Sequence, residues 1–243
     1  MTLLRPIFAA LVLALTSAIQ PAAFAQSPGA GQATQDKTVN ICALMKPKQG
    51  QADALRQSLL ALVTPTSSEE GHISYNLFEE NNGSIFLHEV WRSQEDLERH
   101  FQKPYIKDFV SRTSTLLDGE NEAHFGRVIS SLSNAKFSER DAQQPGAVHI
   151  CSIKRPRPGK ADELRQALLS LAQPTSQEEG YITYNLYEEK DGSLFLYEAW
   201  RSRADLDAHF QKPYIKDFQA KVGALAERND VRFGKYIPAS PAH

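Results

Sequence analysis

Three residues in the first half of the chain have the types that acid–base chemistry needs. Glu89 and Trp91 end a strand-like segment, and His100 follows nine residues after the tryptophan. An imidazole with an ordinary pKa of about 6.5 accepts a proton at neutral pH, and a neighbouring carboxylate can fix its tautomer. The second half repeats this arrangement at the same spacing with Glu198, Trp200 and His209.

The histidine lies on the apolar side of a predicted helix. Four residues share that face at positions i, i+3, i+4 and i+7: Leu97, His100, Phe101 and Pro104. The imidazole therefore points inward, where it is either a base in a dry aromatic pocket or a core histidine that fills space. Of the chain's histidines, only His100 and His209 correspond between the two halves.

A Tyr-Asn pair occurs on the first strand of a predicted hairpin in both halves. Tyr75 and Asn76 form the first pair, and Tyr184 and Asn185 form the second. These side chains either donate hydrogen bonds to a bound oxygen or simply complete the strand, and the sequence leaves both interpretations open.

The two halves are copies of one another. The segment HFQKPYIKDF occurs at residues 100–109 and again at 209–218. Residues 39–109 align with 148–218 without a gap, and about 45 of the 71 aligned positions are identical. Each copy has the size of a small domain. Because most positions are retained, retention alone does not mark a residue as catalytic.

Within one copy the sequence predicts the order βαββαβ of a ferredoxin-like unit. Residues 38–45 form a short strand, residues 51–63 place apolar side chains on one helical face, and an Asn-Gly turn closes a hairpin. Ser93 begins a second helix, which Pro104 interrupts, and a last strand runs near 123–129.

The strand IFLHEVW at residues 85–91 is apolar on both faces. A sheet covered by helices on one face only would alternate between apolar and polar residues. The second face is therefore expected to pack against the sheet of the other copy. The predicted fold class is α+β, with two tandem ferredoxin-like domains packed sheet to sheet as an intramolecular pseudo-dimer.

The remaining segments have the composition of targeting and linking sequence. Residues 1–25 contain Arg5, an apolar run and Ala-Phe-Ala, which predicts a cleaved signal peptide, with a retained membrane anchor as the alternative. The mature chain is expected in the periplasm or outside the cell, without a membrane-spanning segment. We assign a leader to 26–37, the first domain to 38–130, a polar linker to 131–146 and the second domain to 147–238.

Charge and motifs argue against several classes of protein. The net charge is −2, the pI is about 6.4 and there is no basic stripe, so nucleic acid is not an expected partner. The chain has no glycine-rich turn after a strand, no HExxH or CxxC pairing, and no Gly-x-Ser-x-Gly elbow. The sequence predicts neither a tightly held cofactor nor a bound metal.

The two cysteines, Cys42 and Cys151, occupy matching places in strand-like segments. Export permits a disulfide, but a bridge requires the two equivalent strands to meet within its short reach. We expect two small buried apolar residues, with the bridge as the alternative.

Two segments, EEGHISYNLFEE and FLHEVWRSQEDLERHFQKPYIKDF, resemble the antibiotic biosynthesis monooxygenase family of dimeric α+β barrels, including its quinol monooxygenases. The shared pattern is Glu-x-Trp followed nine residues later by His, after a helix, a glycine and a hairpin. Both copies match, so the resemblance covers nearly all of the mature chain. It implies a pocket between sheet and helices in each copy, and oxidation of a quinol-like or phenolic small aromatic by O₂ without a cofactor.

In that scheme the substrate supplies the electrons, a base removes a phenolic proton, and the protein positions the partners and excludes water. Carried over to this chain, the resemblance makes His100 and His209 the bases and lets Glu89 and Glu198 orient them. The residues assigned to substrate binding are Trp91, Trp200, Tyr75, Tyr184, Asn76, Asn185, Phe101 and Phe210.

Two departures narrow what the resemblance implies. Some members carry another histidine directly after the helix proline, where this chain has Tyr105 and Tyr214. The Asn–Trp–His set of the haem-degrading branch is also missing, which disfavours haem degradation. The alternatives are a non-catalytic small-molecule-binding or stress-response module of the same fold, and a small-molecule isomerase.

Overall fold

The computed structural model describes residues 37–119 and 121–239. The predicted signal peptide at 1–25 and all but the last residue of the predicted leader lie outside the described residues. Within the described ranges, no helix has both the length and the apolar character that crossing a membrane requires.

The first half has the predicted order of elements, with its second helix divided in two. Pro104 causes the division: it occupies the first turn of the following helix, where a missing N–H costs little, and Lys103 before it is extended. The elements are β1 (Val39–Met45), α1 (Ala52–Ser67), β2 (His72–Glu79), β3 (Ile85–Trp91), α2 (Gln94–Phe101), α3 (Pro104–Leu116) and β4 (Glu122–Ser133).

The second half repeats this order element for element. Strand β4 runs to Ser133 and so enters the predicted linker, which also contains the short helix α4 (Glu139–Ala142). The elements that follow are β5 (Val148–Pro156), α5 (Ala161–Thr175), β6 (Tyr181–Glu188), β7 (Leu194–Trp200), α6 (Arg203–Phe210), α7 (Pro213–Leu225) and β8 (Ala226–Tyr236).

The strands of the described residues form one closed antiparallel barrel in the order β1-β3-β2-β8-β5-β7-β6-β4. The last strand of each half joins the two sheets: β4 pairs with β1 and with β6, while β8 pairs with β5 and with β2. This exchange leaves no open sheet edge. The predicted intramolecular pseudo-dimer is confirmed, and its two sheets are also continuous through hydrogen bonds.

The two faces of β3 belong to different cores, as its apolar pattern predicts. Ile85 and Leu87 pack with the helices of the first half. Phe86, on the opposite face, packs inside the barrel with residues from both halves. Because side chains alternate along a strand, Glu89 and Trp91 lie on the helix side and His88 lies in the barrel interior.

Cys42 and Cys151 form a disulfide in the barrel interior. The preferred expectation of two unlinked cysteines was therefore wrong. The matching strands β1 and β5 both turn these side chains toward the barrel centre, where they are 0% and 1% exposed. Closure of the barrel brings the two equivalent positions together, and no pattern within one strand reveals that distance.

Two histidines without a counterpart histidine in the other half lie beside this disulfide. His88 Nε2 is 3.1 Å from the hydroxyl of Tyr187. His149 donates from Nε2 to the carbonyl of Ala142 at 2.8 Å and accepts at Nδ1 from the Tyr197 hydroxyl at 2.9 Å. Burial, together with the nearby His149, lowers the pKa of His88 to about 3, and burial lowers the pKa of His149 to about 4.

These histidines predict a loss of stability in acid. In the unfolded chain both imidazoles take up a proton near the ordinary pKa of 6.5, whereas in the barrel they stay neutral down to about pH 4 or 3. The unfolded state binds more protons between these values, so each histidine lowers the free energy of unfolding by about 1.4 kcal/mol per pH unit as the pH falls.

The repeat supplies matched replacements that test this stability effect. Tyr197 occupies the place of His88 in the second half, and Asn40 that of His149 in the first. Denaturant unfolding of wild type and of the His88→Tyr/His149→Asn variant, followed between pH 4 and 7, should show a flatter pH dependence for the variant. Parallel curves for the two proteins would contradict the assignment.

Candidate active site

Helix α2 begins at a capped residue, which fixes the face that it turns inward. The hydroxyl of Ser93 accepts a hydrogen bond from the backbone N–H of Asp96 at 3.2 Å. The resulting register buries Leu97 and His100 against the sheet. The inward orientation of the histidine, predicted from the helical spacing, is confirmed.

The turn that precedes β2 lies directly against this helix. Gly71 has a φ of +84°, and a Cβ at this position would overlap the carboxyl group of Asp96. The backbone carbonyl of Gly71 also accepts a hydrogen bond from the N–H of Arg92 at 2.8 Å. These contacts hold the turn close to α2 and place Glu69 next to the imidazole.

Glu69 anchors one nitrogen of His100. The distance from His100 Nδ1 to Glu69 Oε1 is 2.7 Å, and both side chains are buried, with 3% and 7% exposure. An ionised carboxylate only accepts hydrogen bonds, so Nδ1 carries the hydrogen and Nε2 presents a lone pair. Tyr105 donates its hydroxyl to the same carboxylate oxygen, and Lys103 Nζ lies 3.8 Å from the other.

Glu89 and Trp91 lie on the opposite side of the ring. Glu89 Oε1 is 3.6 Å from His100 Nε2, beyond the length of a hydrogen bond, and accepts from the Trp91 indole N–H at 2.5 Å. The indole and imidazole centroids are 4.7 Å apart. The imidazole is thus enclosed between two buried carboxyl groups and an aromatic ring.

Burial shifts the pKa values of Glu89 and His100 in opposite directions. It raises the pKa of Glu89 to about 7, reinforced by the charge of Glu69 and opposed by the hydrogen bond from Trp91. Burial also lowers the pKa of His100, although the hydrogen bond to Glu69 acts in the other direction. A carboxyl group that titrates near neutrality beside an imidazole is suited to proton transfer at physiological pH.

The second half builds the same site with its own residues. His209 Nδ1 lies 2.7 Å from Glu178 Oε1, and the Trp200 indole donates to Glu198 at 2.9 Å. The imidazole and indole centroids are 4.6 Å apart. Tyr214 donates to Glu178, as Tyr105 does to Glu69. Burial raises the pKa of Glu198 against the opposing charge of His209.

Sequence reasoning missed the carboxylates that hold the imidazoles. It gave the orienting role to Glu89 and no role to Glu69, whereas the hydrogen-bond partner of His100 is Glu69. The signal in the sequence is slight: a Glu-Glu-Gly turn after an amphipathic helix is typical of exposed surface. The tyrosines noted as departures from the family, at residues 105 and 214, also belong to this hydrogen-bonded group.

The structure separates the predicted binding residues into two groups. Tyr75 pairs with Glu89 across the strands and shares its face, but Asn76 pairs with His88 and points away from the site. In the second half, Tyr184 donates to the carbonyl of Leu168 at 2.8 Å. Asn185 accepts from Ser131 at 2.8 Å. Neither asparagine is therefore brought together with the histidine of its own half.

Aromatic side chains connect the second site with the surface. The ring of Phe210 lies 5.6 Å from that of His209 and 6.2 Å from that of Phe233, and Phe233 is 36% exposed. In the first half, the ring of Phe101 lies 5.6 Å from that of His100. The side chains of His100 and His209 are 3% and 4% exposed. Among the described residues, no group of three or more side chains is arranged to hold a metal ion.

A duplicated α+β barrel with a buried imidazole–carboxyl site in each half defines the class of protein. The chain belongs to the antibiotic biosynthesis monooxygenase family, whose model matches residues 38–112 and 148–221. The family assignment made from the sequence is confirmed, and each match covers most of one copy.

Individual proteins show the same likeness. The chain is 42% identical over 74 residues, which are 30% of this chain and 73% of the relative, to a Mycobacterium tuberculosis protein named putative monooxygenase Rv0793. A solved structure of a putative monooxygenase from Fusobacterium nucleatum matches with a TM-score of 0.69 at 13% identity, over 83% of this chain and 93% of that one. An anthrone oxidase-like protein matches with a TM-score of 0.69 at 15% identity, over 85% and 95%. These two structures share the fold across both halves.

Proposed function

We propose that the chain is a cofactor-independent monooxygenase that oxidises a quinol-like or phenolic small aromatic with O₂. The observation that carries the proposal is the anchored imidazole of each half. Glu69 holds Nδ1 of His100 at 2.7 Å, which leaves Nε2 as the basic nitrogen in a buried, aromatic environment. The His209 site repeats this arrangement.

In the proposed reaction, Nε2 of the histidine removes the phenolic proton. The electron-rich phenolate then reduces O₂, one oxygen atom forms a bond to a ring carbon, and the other leaves as water. For a simple hydroquinone the products are a hydroxyquinone and one water molecule. The substrate loses four electrons, O₂ gains them, and the proton held by the imidazole passes to the departing oxygen.

The surroundings of the imidazole support this role. Burial excludes water from the reacting groups and strengthens their electrostatic interactions. In the proposal Glu69 positions the ring and stabilises the imidazolium, while Glu89, with its pKa of about 7, shares the proton that the ring takes up. The family and the name of the Mycobacterium tuberculosis relative support the reaction class, and the substrate class is our proposal.

One observation favours a second candidate, a small-molecule-binding module of the same fold that catalyses no reaction because its ligand does not reach the imidazoles. His100 and His209 are 2% and 3% exposed, so a ligand reaches either imidazole only if neighbouring side chains move. A hydrogen-bonded network that serves packing alone would have the same burial.

We also propose that the protein works in the periplasm or outside the cell. The Cys42–Cys151 disulfide supports this location because disulfides persist in oxidising compartments and are rare in the cytosol. Mass spectrometry of the protein recovered from the native host would test it: a mature chain that lacks residues 1–25 is expected, and a full-length cytosolic chain would contradict it.

Oxygen consumption distinguishes the two candidate functions. The purified chain is supplied with a panel of hydroquinones and polycyclic phenols under air, with isotopically labelled O₂ in a parallel reaction. A monooxygenase should consume one O₂ for each product and place one labelled atom in that product. If some panel members bind but none supports oxygen uptake, the binding module is the correct assignment.

A further inference from the structure

The two sites differ at one strand position that faces the helices. Met45 ends β1 in the first half, and Lys154 occupies the matching position of β5 in the second. Lys154 is 4% exposed, although it carries an amine. A buried amine needs polar partners, because an unpaired charge in the interior is costly.

Residues of the second half supply those partners. Lys154 Nζ lies 2.5 Å from the hydroxyl of Ser152 and 2.8 Å from the side-chain oxygen of Asn229 on β8. It also lies 5.9 Å from the ring centroid of Phe218 on α7. Burial lowers the pKa of Lys154 to about 8, while Glu198 and Asp230 act to raise it.

The contact with Ser152 turns the amine toward the His209 site. Ser152 lies two residues along β5 from Ile150, and Ile150 pairs with Glu198 on β7. Glu198 interacts electrostatically with both Lys154 and His209. The amine therefore belongs to the same group of side chains as the proposed base of the second half.

The first half has no lysine at this position, and the asparagine that matches Asn229 has no hydrogen-bond partner there among the described residues. Met45 replaces the lysine and Ala43 replaces the serine. Asn121, which matches Asn229, has a buried side-chain oxygen without a hydrogen-bond partner among the described residues. The side-chain oxygen of Asn229 thus accepts from Lys154, whereas that of Asn121 is buried without a donor.

The lysine gives the second site a positive charge at a position where the first site has none. The first site contains Glu69, Glu89, His100, Lys103 and Tyr105, and the second site has a counterpart of each. His72, which also acts on His100 and whose pKa is lowered by burial, is replaced by Tyr181 in the second half. An anionic ligand is therefore bound more favourably in the second half.

The second half also has the more open approach. Asn229, Val231 and Phe233 alternate along one face of β8 and are all exposed, and Val231 pairs with Ser152. The matching residues of the first half, at the start of β4 and just before it, are half-buried: Asn121, Ala123 and Phe125. An apolar ring can therefore lie against Val231 and Phe233 while its polar end reaches the lysine.

We propose that the two sites take different charge forms of the aromatic ligand. The second site holds the bound phenol in its ionised form through the ammonium of Lys154, with Ser152 and Asn229 positioning that ammonium and His209 taking the phenolic proton, and the first site holds the neutral phenol. The proposal rests on the proposed function only in treating these sites as ligand sites.

Para-nitrophenol tests this assignment without turnover, because its nitro group withdraws electrons and its two charge forms absorb at different wavelengths. At a pH where free para-nitrophenol is a mixture of its neutral and ionised forms, binding to wild type should shift one equivalent of the probe per chain fully to the phenolate spectrum. Lys154→Met copies the residue of the first half and should weaken phenolate binding by about tenfold or more. Lys154→Arg keeps the positive charge and should still bind the phenolate.

The reciprocal variant, Met45→Lys, should raise the stoichiometry to two phenolates per chain where circular dichroism shows it folded. No phenolate spectrum with wild type, or the same affinity in folded Lys154→Met, would overturn the proposal. These outcomes are independent of oxygen uptake. A chain that binds phenolate through Lys154 but consumes no O₂ contradicts the proposed function alone, and the reverse result contradicts only the charge assignment.

Discussion

The double replacement His100→Ala/His209→Ala is expected to lower the rate of oxygen uptake by about a hundredfold to ten-thousandfold, the range of a lost general base. Each imidazole presents its Nε2 lone pair beside a buried carboxyl group, so its removal leaves no positioned base for the phenolic proton. The measurement is the initial rate of O₂ consumption with the best hydroquinone of the panel. The two single variants show how much each half contributes.

The matched control removes two histidines that lie on the other side of the sheet. His88→Tyr/His149→Asn copies the residues of the opposite half and should keep the wild-type rate near neutral pH. If the His100→Ala/His209→Ala protein remains folded and its oxygen uptake equals that of wild type, neither histidine is the base.

Replacing the carboxylates that hold the imidazoles shows whether each glutamate positions a base or only packs against the histidine. Glu69→Gln/Glu178→Gln keeps the shape of both side chains but removes their charge, and in the first half that charge raises the pKa of His100. The acidic limb of the rate–pH profile, which reports protonation of the base, should therefore move to lower pH as the rate falls. A variant that loses stability without this displacement would assign the glutamates to packing.

The sequence predicts the fold well because its strongest signals are local and repeated. The two apolar faces of IFLHEVW require two cores, and the barrel provides one with helices and one in its interior. The helical spacing of Leu97 and His100 likewise determines which way the imidazole points. These properties follow from the periodicity of single elements.

The residues that sequence reasoning missed depend on distances between elements. Glu69 reaches His100 because a glycine turn packs against the start of α2, and nothing within the turn predicts that contact. Cys42 meets Cys151 only because the barrel closes. Asn76 was assigned to the site although alternation along β2 turns it to the other face, a conclusion that the strand pattern itself permits.

The difference between the halves is visible when the two copies are aligned by sequence. Lys154 stands where Met45 does, at a strand position where apolar side chains are expected. A buried lysine without an evident partner is rare, so this single substitution is a stronger pointer to function than the identical ten-residue segment. The structure adds the partners: Ser152 and Asn229 satisfy the amine next to the second site.

Loss of the disulfide has the largest expected effect on stability. Cys42 and Cys151 are separated by 109 residues, and a bridge that closes a loop of this size removes chain entropy from the unfolded state worth about 4–5 kcal/mol. Cys42→Ala/Cys151→Ala should lower the free energy of unfolding by about that amount, and the melting temperature by about 10–15 °C for a chain of this size.

Comparing reduced and oxidised wild type distinguishes the stability due to the disulfide bond from that due to the packing of the cysteine side chains. Both sulfurs are in the barrel interior, so a reductant reaches them only when the barrel opens, and reduction should require partial unfolding. The reduced protein should match the double alanine variant in its unfolding midpoint, apart from the small cost of the missing sulfur atoms. At low temperature the reduced protein and the double alanine variant should keep the wild-type rate of oxygen uptake, since the disulfide lies across the sheet from His100 and His209. Equal midpoints for reduced and oxidised chains would mean that the strand exchange of β4 and β8 already holds the halves together without the covalent link.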